Sequence, residues 1–342
     1  MQGHFILGDE CMIRNVIIDC DPGIDDSLAL MLALSNPSIC VKAITIVAGN
    51  TPADLGFENC KRILKHMNRL DIPIYIGATA PLKKTFVNAL DTHGKDGLGE
   101  SFLPAVDGYK QNQSAVEYLK TYLRKTPCSI IALGPLTNIA QFIQEDPEGF
   151  RYVQKFVSMG GTYKAHGNCS PVAEYNYWED PEAADIVFEH ASNIHKKIHM
   201  IGLDVTRKIV LTPNLLTYME RLNPTQGKFI RQITKFYMEF HWNWEHIIGC
   251  VINDPLAVAY FIDPSICNGF ESYVRVQDHG LAQGQSIVDD HNYYRKGANA
   301  IVLNQVNNKK FFELFFSNIL NIPTTQLDLL HSLCTQGDEY EI

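Results

Sequence analysis

Short apolar runs alternate with helical patterns along the first two thirds of the chain. The run Val16-Ile17-Ile18 is continuous and apolar, as expected for a parallel strand buried on both faces, and a helical stretch opens at Asp25. The same pair of patterns recurs several times. The further strands predicted are 41–47, 72–76, 129–133, 156–159 and 198–203, and the further helices are 52–67, 113–125, 136–144 and 181–191.

This order of elements predicts the fold class. Strand-then-helix alternation indicates an α/β domain with a doubly wound, mostly parallel sheet of the Rossmann-like type. The C-terminal third is less regular, with helical stretches at 226–245 and 307–320 and short strands near 271–276 and 299–304. We interpret these as additions to a single domain at 12–330, flanked by an N-terminal extension at 1–11 and a C-terminal tail at 331–342.

Composition narrows the class of partner. The 342 residues include 29 basic and 38 acidic side chains, which gives a net charge of −9. This balance argues against a nucleic-acid partner, because phosphate binding needs a basic face and the sequence contains no Lys/Arg-rich run. An enzyme for a neutral substrate, or for one held through a cation, fits the charge better.

Cysteine usage and the N-terminal pattern predict the compartment. The nine cysteines include no CxxC pair, which is typical of reduced thiols rather than of a disulfide framework or a zinc site. The first thirty residues lack a basic segment followed by a long apolar one, and the apolar run 28–34 is too short to span a bilayer. We therefore expect a cytoplasmic protein without membrane contact.

An acidic cluster follows the first predicted strand. Its members are Asp19, Asp21, Asp25 and Asp26. Four carboxylates this close repel one another strongly, and a helix N-terminus compensates for only one or two of them. A hard divalent cation, Ca²⁺ or Mg²⁺, prefers such oxygen ligands. The intervening Pro22-Gly23 can form a tight turn that brings the two halves of the cluster together, so the pattern favours a metal site over a solvated, capped helix start.

A second reading of the same residues is a phosphatase. Asp19 and Asp21 after a strand also resemble the haloacid-dehalogenase phosphatases, in which the first aspartate is a nucleophile. Those enzymes usually continue with an aliphatic residue and Thr or Val, and they need a later Lys and a distal acidic pair. The Pro22-Gly23 dipeptide makes this the weaker alternative.

Taken with later motifs, the cluster resembles the inosine–uridine-preferring nucleoside hydrolase family. The likeness runs from Ile13 to about Phe316, and the family signature DxDPGxDD is present at 19–26. The other matching motifs, in chain order, are 47–50 (VAGN), 93–94 (HG) with 97–99 (GLG), 133–138 (LGPLTN), 159–161 (MGG), Asn168, 171–176 (PVAEYN) and 254–259 (DPLAVA). The resemblance implies an enzyme that hydrolyses the bond between ribose and nucleobase, commonly as a homodimer or homotetramer.

The resemblance also implies one Ca²⁺ per chain. The ligands carried over from the family are Asp21, Asp26, the carbonyl of Leu133, and Asp254. Three carboxylates and a carbonyl leave room in a calcium shell for water and for two ribose hydroxyls. Asp21 would be the general base that takes a proton from a calcium-bound water.

Substrate contacts follow from the same resemblance. The ribose hydroxyls would be held by carboxylates and amides, whose acceptors and donors suit a polyhydroxylated ligand. The residues expected to bind substrate are Asp25, Asn50, Met159, Asn168, Glu174, Tyr175, Asn176 and Tyr237. Among aromatic side chains, Tyr175, Tyr237, Trp242 and Trp244 can line a base pocket, although the two tryptophans also fit a helix end packed on the core.

The sequence departs from the family at the residue expected to protonate the base. Many members have His before the late Asp-Pro pair, whereas this chain has Asn253, whose amide can hydrogen-bond a base but cannot deliver a proton. His93 matches the other base-side histidine and is the first candidate for the leaving-group acid. His241, one helical turn after Tyr237, is the second. The missing histidine keeps open a non-catalytic nucleoside- or ribose-binding relative as a further alternative.

Overall fold

The computed structural model describes residues 13–109 and 114–334, so the predicted extension at 1–11 lies outside the described residues. The strands are β1 (Arg14–Cys20), β2 (Ile39–Ile46), β3 (Ile74–Ile76), β4 (Cys128–Ala132), β5 (Val153–Met159), β6 (Ile198–Ile201), β7 (Val210–Leu211), β8 (Cys250–Val251), β9 (Cys267–Val276), β10 (Ser286–Asp289) and β11 (Ala300–Val306). The helices are α1 (Ile24–Ser35), α2 (Ala53–His66), α3 (Leu90–His93), α4 (Ala115–Leu123), α5 (Thr137–Glu145), α6 (Tyr175–Glu179), α7 (Pro181–Asn193), α8 (Leu203–Thr206), α9 (Pro213–Leu222), α10 (Pro224–Glu245), α11 (Asp254–Ile262), α12 (Asn308–Ile319) and α13 (Leu330–Cys334).

Nine of these strands form one sheet in the order β10-β9-β11-β6-β5-β4-β1-β2-β3. All pairings from β11 to β3 are parallel, whereas β9 pairs antiparallel with both β11 and β10. Strands β7 and β8 form a separate antiparallel ribbon. The predicted α/β class with a mostly parallel sheet is confirmed.

The C-terminal strands are longer than predicted and belong to the main sheet. Strand β9 has 10 residues, and β10, which the sequence pattern did not predict, pairs at its outer edge. Strands β1 and β4 are buried on both faces along most of their length, whereas β9 alternates buried and partly exposed positions over 272–276. An antiparallel strand that is covered on one face only lacks the continuous apolar run by which the parallel strands were recognised.

Among the helices of nine residues or more, two were not predicted, α9 and α11. The tail predicted at 331–342 begins within α13, and residues 335–342 lie outside the described residues. Helix α11 is apolar on every side and almost wholly buried, so it has no polar face from which a helical period can be recognised. Helix α9 begins at Pro213 behind a Thr212 cap that accepts a hydrogen bond from the Leu215 N–H, a start signal that the sequence contains.

Apolar side chains cover both faces of the central strand. Val16 and Ile18 of β1 pack into a cluster beneath α1, α2, α10, α11 and α12, whereas Ile17 packs on the opposite face beneath α4, α5 and α7. All three side chains are fully buried. In the part of the chain that the structure describes, no helix combines the length and the apolar character that crossing a membrane requires.

The topology fixes where a ligand can bind. Strand β1 has β2 on one side and β4 on the other. Because the connections that follow β1 and β4 run to opposite sides of the sheet centre, a crevice lies between them at the carboxyl ends of these two strands. Crevices at such switch points are the usual ligand sites of open α/β sheets. The acidic turn after β1 and Leu133 after β4 lie at this point.

Candidate active site

The acidic turn between β1 and α1 folds back on itself through its own hydrogen bonds. Asp26 Oδ1 accepts a hydrogen bond from the Asp21 N–H (3.2 Å), and Asp26 Oδ2 accepts from the Gly23 N–H and from Asn50 Nδ2 (3.0 Å each). Asp25 and Asp26 occupy the first turn of α1, where the helix dipole favours negative charge. The turn therefore holds its carboxylates in fixed positions.

Asp254 reaches the same place from a distant part of the chain. It is the first residue of α11, which packs against α1. Carboxylate oxygens of Asp25, Asp26 and Asp254 lie within 4.8 Å of one another. The structure thus brings together Asp26 and Asp254 of the predicted metal ligands, with Asp25 as the third member of the cluster in place of Asp21.

Asp21 lies beside this cluster, and its carboxylate packs closely against the backbone at Gly49 and Gly134. Its Oδ2 accepts a hydrogen bond from the Asn50 N–H (2.6 Å), whereas its Oδ1 is buried without a hydrogen-bond partner. A Cβ at Gly134 would come within 2.5 Å of Oδ1, so only glycine fits there. An unpartnered buried carboxylate oxygen is costly unless a proton or a cation meets it.

The electrostatics of the cluster favour a cation. Burial, followed by the charge of Asp26, raises the pKa of Asp21 well above its usual value, and burial and the three neighbouring aspartates do the same for the pKa of Asp254. Burial and Asp25 raise the pKa of Asp26 to about 6. Among residues 13–109 and 114–334, no Lys or Arg forms an ion pair with these carboxylates. The donor set therefore fits a metal ion, which supplies the missing positive charge.

Glu174 and Asn176 form the wall beside the cluster. The Glu174 carboxylate accepts hydrogen bonds from three backbone N–H groups, at Gly161 (2.8 Å), Asn176 (2.9 Å) and Tyr177 (3.2 Å). Burial nevertheless raises the pKa of Glu174 to about 7. The Asn176 amide donates to the carbonyl of Leu133 (2.7 Å) and less closely to that of Met159 (3.2 Å), which fixes its orientation.

Asn168 lies on a loop above this wall. Its Oδ1 accepts a hydrogen bond from the Tyr175 N–H (2.9 Å), and the Tyr175 hydroxyl donates to the Val87 carbonyl (2.7 Å). These bonds connect the loop before α6 to the segment before α3. The two segments together close one side of the cavity.

These side chains surround a cavity of about 340 Å³. Asp21 and Asp26 do not line it themselves but are hydrogen-bonded to Asn50, which does. All the other predicted site residues line the cavity, namely Asp25, Asn50, His93, Leu133, Met159, Asn168, Glu174, Tyr175, Asn176, Tyr237, His241, Asn253 and Asp254. We call the buried part of the cavity the inner end; it is lined by Asp25, Asn50, Glu174, Asn176 and Asp254, and we include with it Asp21 and Asp26, which are hydrogen-bonded to Asn50.

Helix α10 forms the opposite part of the cavity. The hydroxyl of Tyr237 lies 3.4 Å from Asp25 Oδ2, and the Asn253 amide donates to the same oxygen (3.1 Å). His93 accepts a hydrogen bond at Nδ1 from the Ile24 N–H (3.0 Å), and its ring lies 5.3 Å from that of Tyr237. Tyr237 thus connects the acidic turn to the base-side histidine.

Several lining residues were not predicted. Among them are Arg207, Phe240 and Glu245. Together with His241 and Trp244, which the sequence did indicate, we call these residues the outer end of the cavity. Arg207 Nη1 contacts Glu245 Oε2 (2.7 Å), and Arg207 Nη2 donates to the Gly167 carbonyl (3.2 Å). Arg207 follows β6 as the aspartates follow β1, so the strand-end rule could have indicated it. Trp244 lines the cavity, but Trp242 does not and is half exposed.

Fold and cavity together define an α/β protein with a carboxylate-rich pocket for a hydroxylated ligand at the switch point of its sheet. Over residues 16–313 the chain matches the family described as inosine-uridine preferring nucleoside hydrolase. It is 34% identical over 324 residues to the pyrimidine-specific ribonucleoside hydrolase RihA of Shewanella sp. (strain ANA-3), covering 93% of this chain and 99% of the relative. Identity to the RihA protein of Salmonella typhimurium (strain LT2) is 36% over 310 residues, covering 89% and 97%.

A solved structure agrees with these matches. The purine-preferring ribonucleoside hydrolase from Gardnerella vaginalis superimposes with a TM-score of 0.84 at 30% identity, covering 90% of this chain and 98% of the other. The chain therefore belongs to the inosine-uridine preferring nucleoside hydrolase family. It is a nucleoside N-ribohydrolase, and the phosphatase and non-catalytic alternatives are set aside.

Proposed function

We propose that the enzyme binds a ribonucleoside with its ribose at the inner end of the cavity and that Asp21 is the general base for the attacking water. The observation that carries this proposal is the buried, unpartnered Oδ1 of Asp21. The Asn50 N–H orients the carboxylate through Oδ2, which keeps a second lone pair for a metal ion, and Oδ1 is left to accept a proton.

We infer that the metal is one Ca²⁺ ion. Asp21, Asp26, Asp254 and the Leu133 carbonyl would hold it, because they offer only oxygen atoms and no compensating basic side chain. Asp25 is less available, since its Oδ2 already accepts from Asn253 and contacts Tyr237. When bound, the ion supplies Lewis acidity that makes a neighbouring water easier to deprotonate and helps to hold ribose hydroxyls.

The hydrogen bonds of the inner end support ribose binding by its amides and carboxylates. Asn176 uses Nδ2 on backbone carbonyls, which leaves Oδ1 as an acceptor for a hydroxyl. Asn168 uses Oδ1 on the Tyr175 N–H, which leaves Nδ2 as a donor. Glu174 and Asp25 add carboxylate acceptors that line the cavity. Such a mixture suits vicinal hydroxyls, each of which donates one hydrogen bond and accepts others.

The base would occupy the remainder of the cavity, against Met159, Tyr175, Tyr237 and the histidines. Aromatic side chains there can pack against the face of a base. We propose that pyrimidine ribonucleosides are preferred, because the relatives that match 89–93% of this chain at 34–36% identity are described as pyrimidine-specific. Cytoplasmic location, homo-oligomeric assembly and the lack of a nucleic-acid partner stay predictions from the sequence.

A nucleoside panel tests the proposal. We expect release of ribose from uridine, cytidine, inosine and adenosine to be highest, in kcat/KM, for the two pyrimidines, since discrimination among substrates is measured by that ratio. Exhaustive chelation should abolish release, and added Ca²⁺ should restore it. Full activity in metal-free enzyme would contradict the calcium assignment. A purine preference would contradict the base assignment and leave the mechanism intact.

A further inference from the structure

We propose that His241 is the proton donor to the departing base, whereas His93 donates a hydrogen bond but no proton. This inference rests on the proposed hydrolytic function and assigns the step for which the sequence left two candidates. Three side chains of the cavity come into question by position, namely His93, His241 and Asn253. Their hydrogen bonds distinguish them.

The backbone holds His93 in its neutral form. The Ile24 N–H donates to Nδ1 at 3.0 Å, so Nδ1 is an acceptor and the ring proton must be on Nε2. A second proton on Nδ1 would place two N–H groups against each other. A neutral imidazole in this tautomer can offer Nε2–H to a substrate atom, but it has no acidic proton to transfer near neutral pH.

The Asn253 side chain is already hydrogen-bonded within the protein. Its amide nitrogen donates to Asp25 Oδ2 at 3.1 Å and lies 3.5 Å from the Tyr237 hydroxyl. Its Oδ1 is buried without a partner. The side chain can therefore orient Asp25 and accept a hydrogen bond, but an amide transfers no proton.

His241 has the opposite arrangement from His93. Its ring lies 5.6 Å from Phe240 and 4.4 Å from Tyr237, and its Nδ1 lies 2.9 Å from the Tyr237 carbonyl. A carbonyl only accepts, so Nδ1 carries a proton and Nε2 is left for the ligand. This bond forms equally well in the neutral and the doubly protonated ring, so protonation of Nε2 breaks no contact.

The charged groups facing His241 come from four elements. Burial lowers the pKa of His241, and Arg207 after α8 lowers it further; the Tyr237 carbonyl and Glu245 of α10, and Asp25 of α1, oppose this. His93 of α3 also interacts with it electrostatically. Because Arg207 is paired with Glu245 at 2.7 Å, these two charges largely offset each other. The carboxylate of Asp25 favours the protonated ring, whereas burial is the larger influence and leaves the pKa of His241 below its usual value.

With this assignment, every bond and proton of the hydrolysis is accounted for. The C1′–N bond breaks and its electron pair stays on the base, which takes the Nε2 proton of His241. The water oxygen forms the new bond to C1′ while its proton passes to Asp21. The products are ribose and the neutral base. Solvent reprotonates His241 and removes the proton from Asp21 before the next turnover.

Two substrates with different leaving groups separate this role from a structural one. Uracil leaves poorly without a proton, whereas 4-nitrophenolate leaves from 4-nitrophenyl β-D-ribofuranoside as a stable anion. In H241Q we expect kcat/KM for uridine to fall about 10²–10⁴-fold, the usual size of a general-acid contribution. The loss on the nitrophenyl riboside should be at least about 30-fold smaller. The matched variant H93Q should lower both values by similar factors.

The pH profile gives a second readout. Because the protonated ring is the active form, wild-type kcat/KM for uridine should fall as pH rises through the pKa of His241, which lies below its usual value. This fall in kcat/KM at higher pH should be absent with the nitrophenyl riboside and in H241Q. Equal losses on the two substrates, or a selective loss in H93Q instead, would overturn the assignment while leaving nucleoside hydrolysis intact. A wild-type enzyme that cleaved neither substrate would overturn both proposals.

Discussion

The two ends of the cavity are built on different supports. Most side chains of the inner end follow strands of the main sheet, whereas Asp254 follows β8 of the ribbon, and all of them are at most 8% exposed. Those of the outer end lie on α10 and behind α8, where Trp244 is 71% exposed and Arg207 is partly exposed. The inner end is held by backbone hydrogen bonds to Asp21, Asp26 and Glu174, whereas one ion pair connects the outer elements.

In the proposed mechanism, this difference separates bond cleavage at the inner end from base recognition at the outer end. The proposed water activation and ribose binding need fixed geometry, and hydrogen bonds to neighbouring strands and turns supply it for the side chains of Asp26, Glu174 and Asn176. The outer end can change its side chains without disturbing the sheet. An example of such a change lies where the two ends meet. This chain has Asn253 where many family members have histidine, and His241 lies one helical turn after Tyr237.

The largest expected effect is at the inner end, from Asp21→Asn. The amide keeps an oxygen for the Asn50 N–H but cannot take a proton, so kcat/KM should fall at least about 10³-fold for uridine and for the nitrophenyl riboside alike. Steady-state kinetics with circular dichroism as the folding control measures this. A loss below about tenfold would remove Asp21 as the general base.

Metal removal should come next and should act on the same end. Chelation is expected to abolish turnover and to lower Tm, because the ion binds the folded chain and offsets the buried carboxylates. Ca²⁺ at 100 times its Kd should restore about 2.7 kcal/mol of stability. Calorimetry of the stripped and reloaded protein measures this. An unchanged Tm would show that the cluster holds no tightly bound ion.

Glu174→Gln should have an intermediate effect. One carboxylate oxygen that accepts from Gly161 and Tyr177 becomes an amide or must rotate away, which weakens the wall that would grip ribose. We expect kcat/KM to fall about 10- to 100-fold, corresponding to about 1.5–3 kcal/mol for hydrogen bonds to a charged group. Both substrates should be affected equally, since both contain ribose. A loss confined to uridine would place Glu174 at the base instead.

The smallest effect is expected at the outer end, from Arg207→Met. The pair with Glu245 is about one-quarter exposed on both sides, so its loss should cost about 0–1 kcal/mol of stability. The KM for uridine should rise a few-fold with kcat nearly constant, because a wall of the base pocket loosens. Glu245→Gln is the matched control: it breaks the same ion pair and should raise KM similarly, but it should shift the pH profile in the opposite direction, because Arg207 lowers and Glu245 raises the pKa of His241. A large fall in kcat would show that the outer end takes part in bond cleavage.

Motifs close in sequence could be predicted well. The turn of Asp21 to Asp26 and the wall of Glu174 to Asn176 are short segments whose local geometry largely follows from their own residues. The parallel strands were recognisable because burial on both faces leaves a continuous apolar run. Strand β9 and helix α11 were not, since one is half exposed and the other is buried all round.

The sequence by itself determined the α/β class, the carboxylate turn and the segment from Glu174 to Asn176, because each depends on periodicity or on neighbours within a few positions. Only the tertiary structure decided which distant groups meet. It brought Asp254 to the turn, left Asp21 Oδ1 without a partner, and set the hydrogen bonds that distinguish His93 from His241. Those contacts join residues up to hundreds of positions apart, and the protonation state of a histidine depends on the atom that faces each nitrogen.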